Sequence, residues 1–190
     1  MISKQLVENI LLAALEKGGD FAEVFLEDRS VSSIGMISGK VENFNRGKDY
    51  GIGIRIIQGQ QMVYAYTNDM SENNLIRVAQ DAGRALQESK VDLVLNFSRK
   101  TGSESYNRIE RYPGDVPAQE KVKYLKEASQ GAKEYDSLIT QTTANLFDED
   151  QRVLIANSEG LWSEDRRVRT RLMVSAVASY KGQMQTGGHG

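Results

Sequence analysis

Tyr50-Gly51-Ile52-Gly53-Ile54-Arg55-Ile56-Ile57 is the stretch on which the fold reading turns. Ile52, Ile54 and Ile56 alternate with Gly51, Gly53 and Arg55. That period of two belongs to a strand with one buried face. The glycines sit inside the strand, not at a strand-to-helix turn, and Ile56 stands where a dinucleotide-binding loop has its third glycine. Their simpler meaning is close approach of another chain segment to one sheet face. Gln61 to Thr67 alternates again and pairs back around Gln58-Gly59-Gln60 as a hairpin.

Three buried isoleucines need a covering layer, and the flanking sequence supplies helices. Leu6, Val7, Ile10, Leu11, Ala14 and Leu15 fall at helical spacing, with Ser3 as N-cap and Gly18-Gly19 as the stop. Ser71 opens a second helix with a stripe of Leu75, Ala79, Ala82 and Leu86. Between them, Phe21 to Glu27 alternates as a half-buried strand, and Val31 to Phe44 reads as two short strands around Ser38-Gly39-Lys40. Residues 96–116 break the composition: polar and charged, with Gly102 and Pro113-Gly114, they read as a linker or excursion loop, and the loop around 98–114 as the most protease-sensitive internal segment. Asp115 and Pro117 start a third helix with Val122, Leu125 and Ala132 as its buried face. Ser137 to Phe147 is β-rich, Asp148-Glu149-Asp150 reads as a turn, and Arg152 to Ala156 as the next strand. Asn157-Ser158-Glu159-Gly160 turns again into a long strand from Arg167 to Ser179. The fold class is α+β: helices packed on an antiparallel or mixed sheet, with helix plus strand meander occurring twice. The expected division is 1–95, a linker at 96–116, and 117–190.

Little in this chain can carry chemistry. It has 190 residues, one histidine, His189, and no cysteine, so disulfides and thiolate metal sites are excluded. A catalytic zinc needs about three protein ligands, and His189 lies in a glycine tail expected to be mobile. Ser158 has Ala156 where a nucleophile elbow requires glycine. Arg167, Arg169 and Arg171 share one strand face, read as solvated and balanced by Glu164 and Asp165. A net charge of −2 lacks the basic excess of a general nucleic-acid binder. No apolar run approaches the ~20 residues of a membrane span. Together with the absence of cysteine, this leads to an expected cytoplasmic location.

Four blocks, in order, resemble the TldD/PmbA family. Gly19-Asp20-Phe21-Ala22-Glu23-Val24 is similar to its early Gly-x-aromatic-Ala-Glu strand, and Tyr50 to Ile57 to its Gly-Val-Gly-Val-Arg-Val strand. Asn157-Ser158-Glu159-Gly160 resembles its Asn-Ser-x-Gly turn, and Arg169 to Ala178 with the glycine-rich tail resembles the strand leading to the catalytic half. The resemblance implies a zinc metallopeptidase subunit acting on peptides or unfolded proteins, paired with a PmbA/TldE-like partner or with itself. The family's His-Glu-x-x-x-His motif is not in this chain. The implied role is therefore the non-catalytic N-terminal portion: scaffold, wall of the substrate chamber and assembly surface for its own C-terminal catalytic domain. No cofactor is expected in this chain, and zinc is expected in the full-length protein. Gly51, Gly53, Arg55, Asn157, Ser158 and Gly160 are the family-motif residues, as structural or chamber-lining groups. Tyr64, Tyr66 and Trp162 are the expected interface residues. The competing readings are a stand-alone interaction module and a metal-free PmbA/TldE-type subunit.

Overall fold

A computed structural model describes residues 2–86, 98–101 and 109–190. Helix α1 (Lys4–Leu15) starts where Ser3 Oγ accepts the amide of Leu6 at 3.2 Å, and ends before Gly18 and Gly19, at φ +124° and +120°. At Gly19 this left-handed backbone favours glycine, and a Cβ there would lie 2.7 Å from Leu15 Cδ2. The meander β1 (Phe21–Ile37), β2 (Lys40–Gln58) and β3 (Gln61–Thr67) follows, then α2 (Glu72–Arg84) and β4 (Ser98–Thr101). A 3₁₀ turn at Pro113–Asp115 leads to α3 (Ala118–Glu134) and a second meander, β5 (Ile139–Asn157), β6 (Leu161–Tyr180) and β7 (Gln183–His189). Helix plus three-strand meander thus occurs twice, as the α+β reading expects.

The strand order is β3-β2-β1-β5-β6-β4, with β7 also on β6. The meanders therefore meet at β1 and β5. Contacts between these strands run antiparallel: Ala22 meets Ser158, Ser32 meets Asp148, and Ser38 meets Thr142. By Cα proximity the chain forms two compact units, neither a continuous stretch. Unit one holds 1–28, 49–105 and 152–166; unit two holds 29–48, 106–151 and 167–190. In unit one, Val7, Ile10, Leu11 and Ala14 of α1 and Leu75 and Ala79 of α2 bury Ala22, Val24, Ile52, Ile54 and Ile56. In unit two, Leu125 of α3 packs with Ile34, Met36, Ala144 and Leu146.

Several local expectations change. The strands at 31–44 are not short, because β1 and β2 run through Asp28-Arg29-Ser30 and Arg46-Gly47-Lys48 without interruption. Asp148-Glu149-Asp150 is not a turn. It lies within β5, where Asp148 and Glu149 are buried and saturated with partners from other strands and from α3. The buried positions of α3 are Lys121, Leu125 and Ser129; Val122 and Ala132 are half-buried. Polar groups are tolerated in that stripe because Ser129 Oγ meets Thr142 Oγ1 at 2.7 Å and Lys121 has a carboxylate. Part of 96–116 is ordered structure: β4 pairs in parallel with Leu161–Glu164, and Pro113 is buried. The expected loop at 102–108 lies outside the described residues. The tail is not free chain either, since β7 pairs antiparallel with Val174–Tyr180 and places His189, exposed, opposite Val174. Among the described residues, no helix is long and apolar enough to cross a membrane.

Candidate functional site

The family-motif residues all fall in unit one, where they build strand registration. In the β2–β3 register Gly53 faces Tyr66 and Arg55 faces Tyr64. A Cβ on Gly53 would lie 2.9 Å from two ring carbons of Tyr64. One on Gly51 would lie 2.6 Å from Tyr66 Cζ and 2.8 Å from the Thr67 carbonyl oxygen. Each tyrosine ring therefore leans across the strand pair onto a glycine, and Tyr66 Oη donates to the Tyr50 carbonyl at 3.5 Å. The glycines seat aromatic rings, so the face a phosphate would need is filled. Gly51→Val and Gly53→Val are both expected to destabilise by about 1–3 kcal/mol. Gly51→Val should cost more, since Tyr64 can swing into solvent whereas the Thr67 carbonyl is fixed backbone. Thermal unfolding of the two variants checks the order, and equal stability of both with the parent chain would refute the seat.

Beside the seat, Arg55 Nη2 donates to Glu23 Oε1 at 2.8 Å, and Arg55 Nε is buried with no acceptor. The second motif anchors the preceding residue of β1. Ser158 Oγ accepts from the Ala22 amide at 3.0 Å, and the Ser158 amide donates to the Ala22 carbonyl at 2.9 Å. Asn157 Oδ1 accepts the amides of Glu159 and Leu161, both at 3.0 Å, which shapes the turn. Gly160 takes φ +88°, and its carbonyl accepts from the Ser98 amide at 2.8 Å. The early block closes the set: the Asp20 carboxylate accepts from the Gly59 amide at 2.6 Å. Three motif blocks distant in sequence thus converge on the first residues of β1. Ser158 has its hydroxyl engaged by backbone and no imidazole beside it in the described part of unit one, so it is a strand staple. Trp162, expected at an interface, is buried at 3% exposure, with Nε1 donating to Glu164 and the Lys4 ammonium 5.5 Å from its ring centre.

Unit two holds a charge cluster that the sequence reading missed. Asp148 accepts from Lys121 Nζ at 2.7 Å, Thr170 Oγ1 at 2.8 Å and Ser32 Oγ at 3.3 Å, while Lys121 also donates to the Pro113 carbonyl at 2.9 Å. Glu149 is bridged by Arg29 at 2.7 Å and Arg169 at 2.8 Å. Arg169 is therefore balanced by Glu149, not by Glu164 or Asp165. The available signal was Arg169 itself, facing outward on a strand with acidic residues to meet it.

Hydrogen bonding from the Arg29 guanidinium holds the Glu149 carboxyl below its usual value of 4.5, with the Arg169 charge adding to the effect and burial opposing it. A depressed folded value stabilises the fold above the unfolded pKa and loses that contribution as pH falls through the folded value. The stability gap between the parent chain and Glu149→Gln should accordingly be full at pH 6 and shrink as pH falls below the usual value of 4.5. Urea unfolding across that range reads the gap, and a pH-independent difference would contradict the assignment.

Among the described residues, no group of three or more His, Cys, Asp or Glu side chains could hold a metal. Asp148 and Glu149, the most buried carboxylates among the described residues, are already neutralised by lysine and arginine. These residues do not fit a zinc centre, and no catalytic step is assigned to them.

Residues 22–86 match the family model described as PmbA/TldA metallopeptidase domain 1, and residues 111–190 match the model described as PmbA/TldA metallopeptidase central domain. The chain is 27% identical over 177 residues to a protein named metalloprotease from Methanothermobacter thermautotrophicus, covering 93% of this chain and 38% of that protein. A metalloprotease TldD homolog of Haemophilus influenzae is 22% identical over 194 residues, covering 100% of this chain and 39% of its own length. The chain thus spans little more than a third of the relatives it matches. In fold it is similar to a structure from Bacteroides thetaiotaomicron described as a modulator of DNA gyrase, with TM-score 0.72 and 15% identity over 99% of this chain and 45% of the other. TldE from Thermococcus kodakarensis gives TM-score 0.64 and 13% identity over 96% of this chain and 42% of the other. The matches cover both halves of the chain in family order, and the chain belongs to the PmbA/TldD metallopeptidase family, of which it carries domain 1 and the central domain.

Proposed function

We propose that this chain is the non-catalytic N-terminal portion of a TldD-like zinc metallopeptidase subunit that degrades or processes peptides and unfolded proteins in the cytoplasm. One observation carries the reading: both matched family domains are present in order, while the metalloprotease relatives extend to well over twice this length. The motif residues support it, because they hold strands in register and leave metal chemistry to residues elsewhere. In this reading 1–95 and 117–190 are successive parts joined through 96–116. Zinc and its ligands belong to a C-terminal catalytic domain, and these parts supply scaffold, chamber wall and the surface for a PmbA/TldE-like partner or a second subunit.

The similarity to TldE favours a second reading, a metal-free partner subunit. The reading frame after Gly190 separates the two. Continuation with His-Glu-x-x-x-His supports the peptidase subunit, whereas continuation without it supports the metal-free partner. Metal analysis and casein cleavage on the 190-residue chain add a direct test. One tightly held zinc per chain, or turnover that survives repurification, would overturn the non-catalytic assignment.

A further inference from the structure

We infer that the outer edge of β3 is a docking site for an extended, uncharged polypeptide segment, which adds to the sheet as an eighth strand. The inference deepens the reading above and rests on it only in taking polypeptide as the natural ligand.

Strand β3, Gln61-Met62-Val63-Tyr64-Ala65-Tyr66-Thr67, is the terminal strand of the sheet, and among the described residues nothing pairs with its outer edge. Edge strands are usually blunted by lysine, proline, a bulge or a covering segment, because their unpaired N–H and C=O groups are a template for another strand. This one has no charged residue and no proline, and its register with β2 runs unbroken from Thr67 to Gln61. Val63 and Ala65 pack against the unit-one core, so the strand is held rigidly from one side. On the other side the Tyr64 and Tyr66 rings lean inward, onto Gly53 and Gly51, and therefore do not screen the edge they sit on. A glycine seat that draws both rings away from the edge leaves that edge's backbone open.

The occupant follows from charge and area. Strand β3 itself carries no charged side chain, and Arg55 and Glu23 behind it neutralise each other at 2.8 Å, so the strand offers no charge of its own to select an acidic or basic partner. The contact is small. Seven residues at ~3.4 Å each, in a layer ~10 Å thick, present roughly 240 Å², against ~800 Å² per partner in a stable interface between folded proteins. Pairing of two folded copies through β3 alone falls well short. A single extended segment held by backbone hydrogen bonds fits the size, with side chains at alternate positions touching Met62, Tyr64 and Tyr66, which are 62%, 58% and 59% exposed. The other edges fit less well: β4 has four residues, and β7 is exposed on both faces and contains Gly187 and Gly188.

The test uses the 190-residue chain and an end-blocked, uncharged probe peptide, Gln-Thr-Val-Thr-Val-Thr-Val-Gln, followed by backbone hydrogen exchange. The expected result is saturable protection of amides within 61–67. A peptide with its two central residues replaced by proline loses N–H groups on both of its edges and should bind at least about tenfold more weakly. Met62→Lys, at an exposed position outside the core, should weaken the probe by a similar factor through edge charge. Equal binding of the proline peptide, protection confined to another strand, or no protection at millimolar probe would overturn the inference. Protection of 61–67 without probe that rises with protein concentration, together with dimers in sedimentation, would assign the edge to a second copy and overturn it too. None of these readouts depends on catalysis. A downstream frame without the zinc motif would sink the peptidase reading and leave the peptide result standing, and the reverse also holds.

Discussion

Replacing Asp148 with alanine is expected to lower the unfolding free energy by about 3–5 kcal/mol, because it leaves a buried ammonium without its counter-charge. The Asp148 and Lys121 side chains are only 4% and 10% exposed, at 2.7 Å separation. After the substitution Lys121 Nζ keeps only the Pro113 carbonyl, and the Thr170 and Ser32 hydroxyls lose an acceptor. Desolvation that the carboxylate had offset then falls wholly on the lysine. The double variant Lys121→Met/Asp148→Leu should recover most of the loss, since apolar replacement of a whole buried pair is often neutral or stabilising. Urea denaturation of the single and double variants decides between a charge effect and lost packing. Hydrogen exchange should show the opening in α3 and β5 before α1. A single variant within about 1 kcal/mol of the parent chain would mean that water reaches Lys121.

The second large effect is expected at Gly83, where α2 crosses α1. Glycine in a helix interior costs roughly 1 kcal/mol relative to alanine, so propensity alone predicts that Gly83→Ala stabilises. Tertiary contact reverses the sign. A Cβ on Gly83 would stand 2.5 Å from the Ala14 carbonyl oxygen and 3.4 Å from its carbon, and this backbone cannot rotate away. The helices must separate, at an expected cost of about 1–3 kcal/mol for alanine and more for valine. Gly131 in α3 is the control: nothing lies within 4 Å of its added Cβ, so Gly131→Ala should stabilise by about 0.5–1 kcal/mol. Thermal unfolding of both alanine variants gives the two signs. A stabilising Gly83→Ala would show that the crossing is looser than the geometry states.

Local pattern was sufficient wherever a signal repeats within one turn of helix or one strand pair. The apolar spacing of α1, its Ser3 cap and its Gly18-Gly19 stop were legible, as were the alternation at 51–57 and the Gly59-Gln60 hairpin. The motif residues could be named from sequence, but their job could not. Ser158 holds Ala22, which is 136 positions away, and Gly51 and Gly53 matter because of two tyrosines on the next strand.

The polar stretches at 28–30 and 148–150 look like turns in isolation, since charged clusters usually mark solvent. They are strand interior because Arg29 and Glu149, 120 residues apart, satisfy each other across β1 and β5. Likewise Lys121 reads as the solvent side of α3 until Asp148 is placed beneath it. Periodicity and capping are properties of neighbouring residues, and the sequence by itself determined them here. Burial of a charge depends on a partner that only the folded chain brings within 3 Å, and that was left to the tertiary structure.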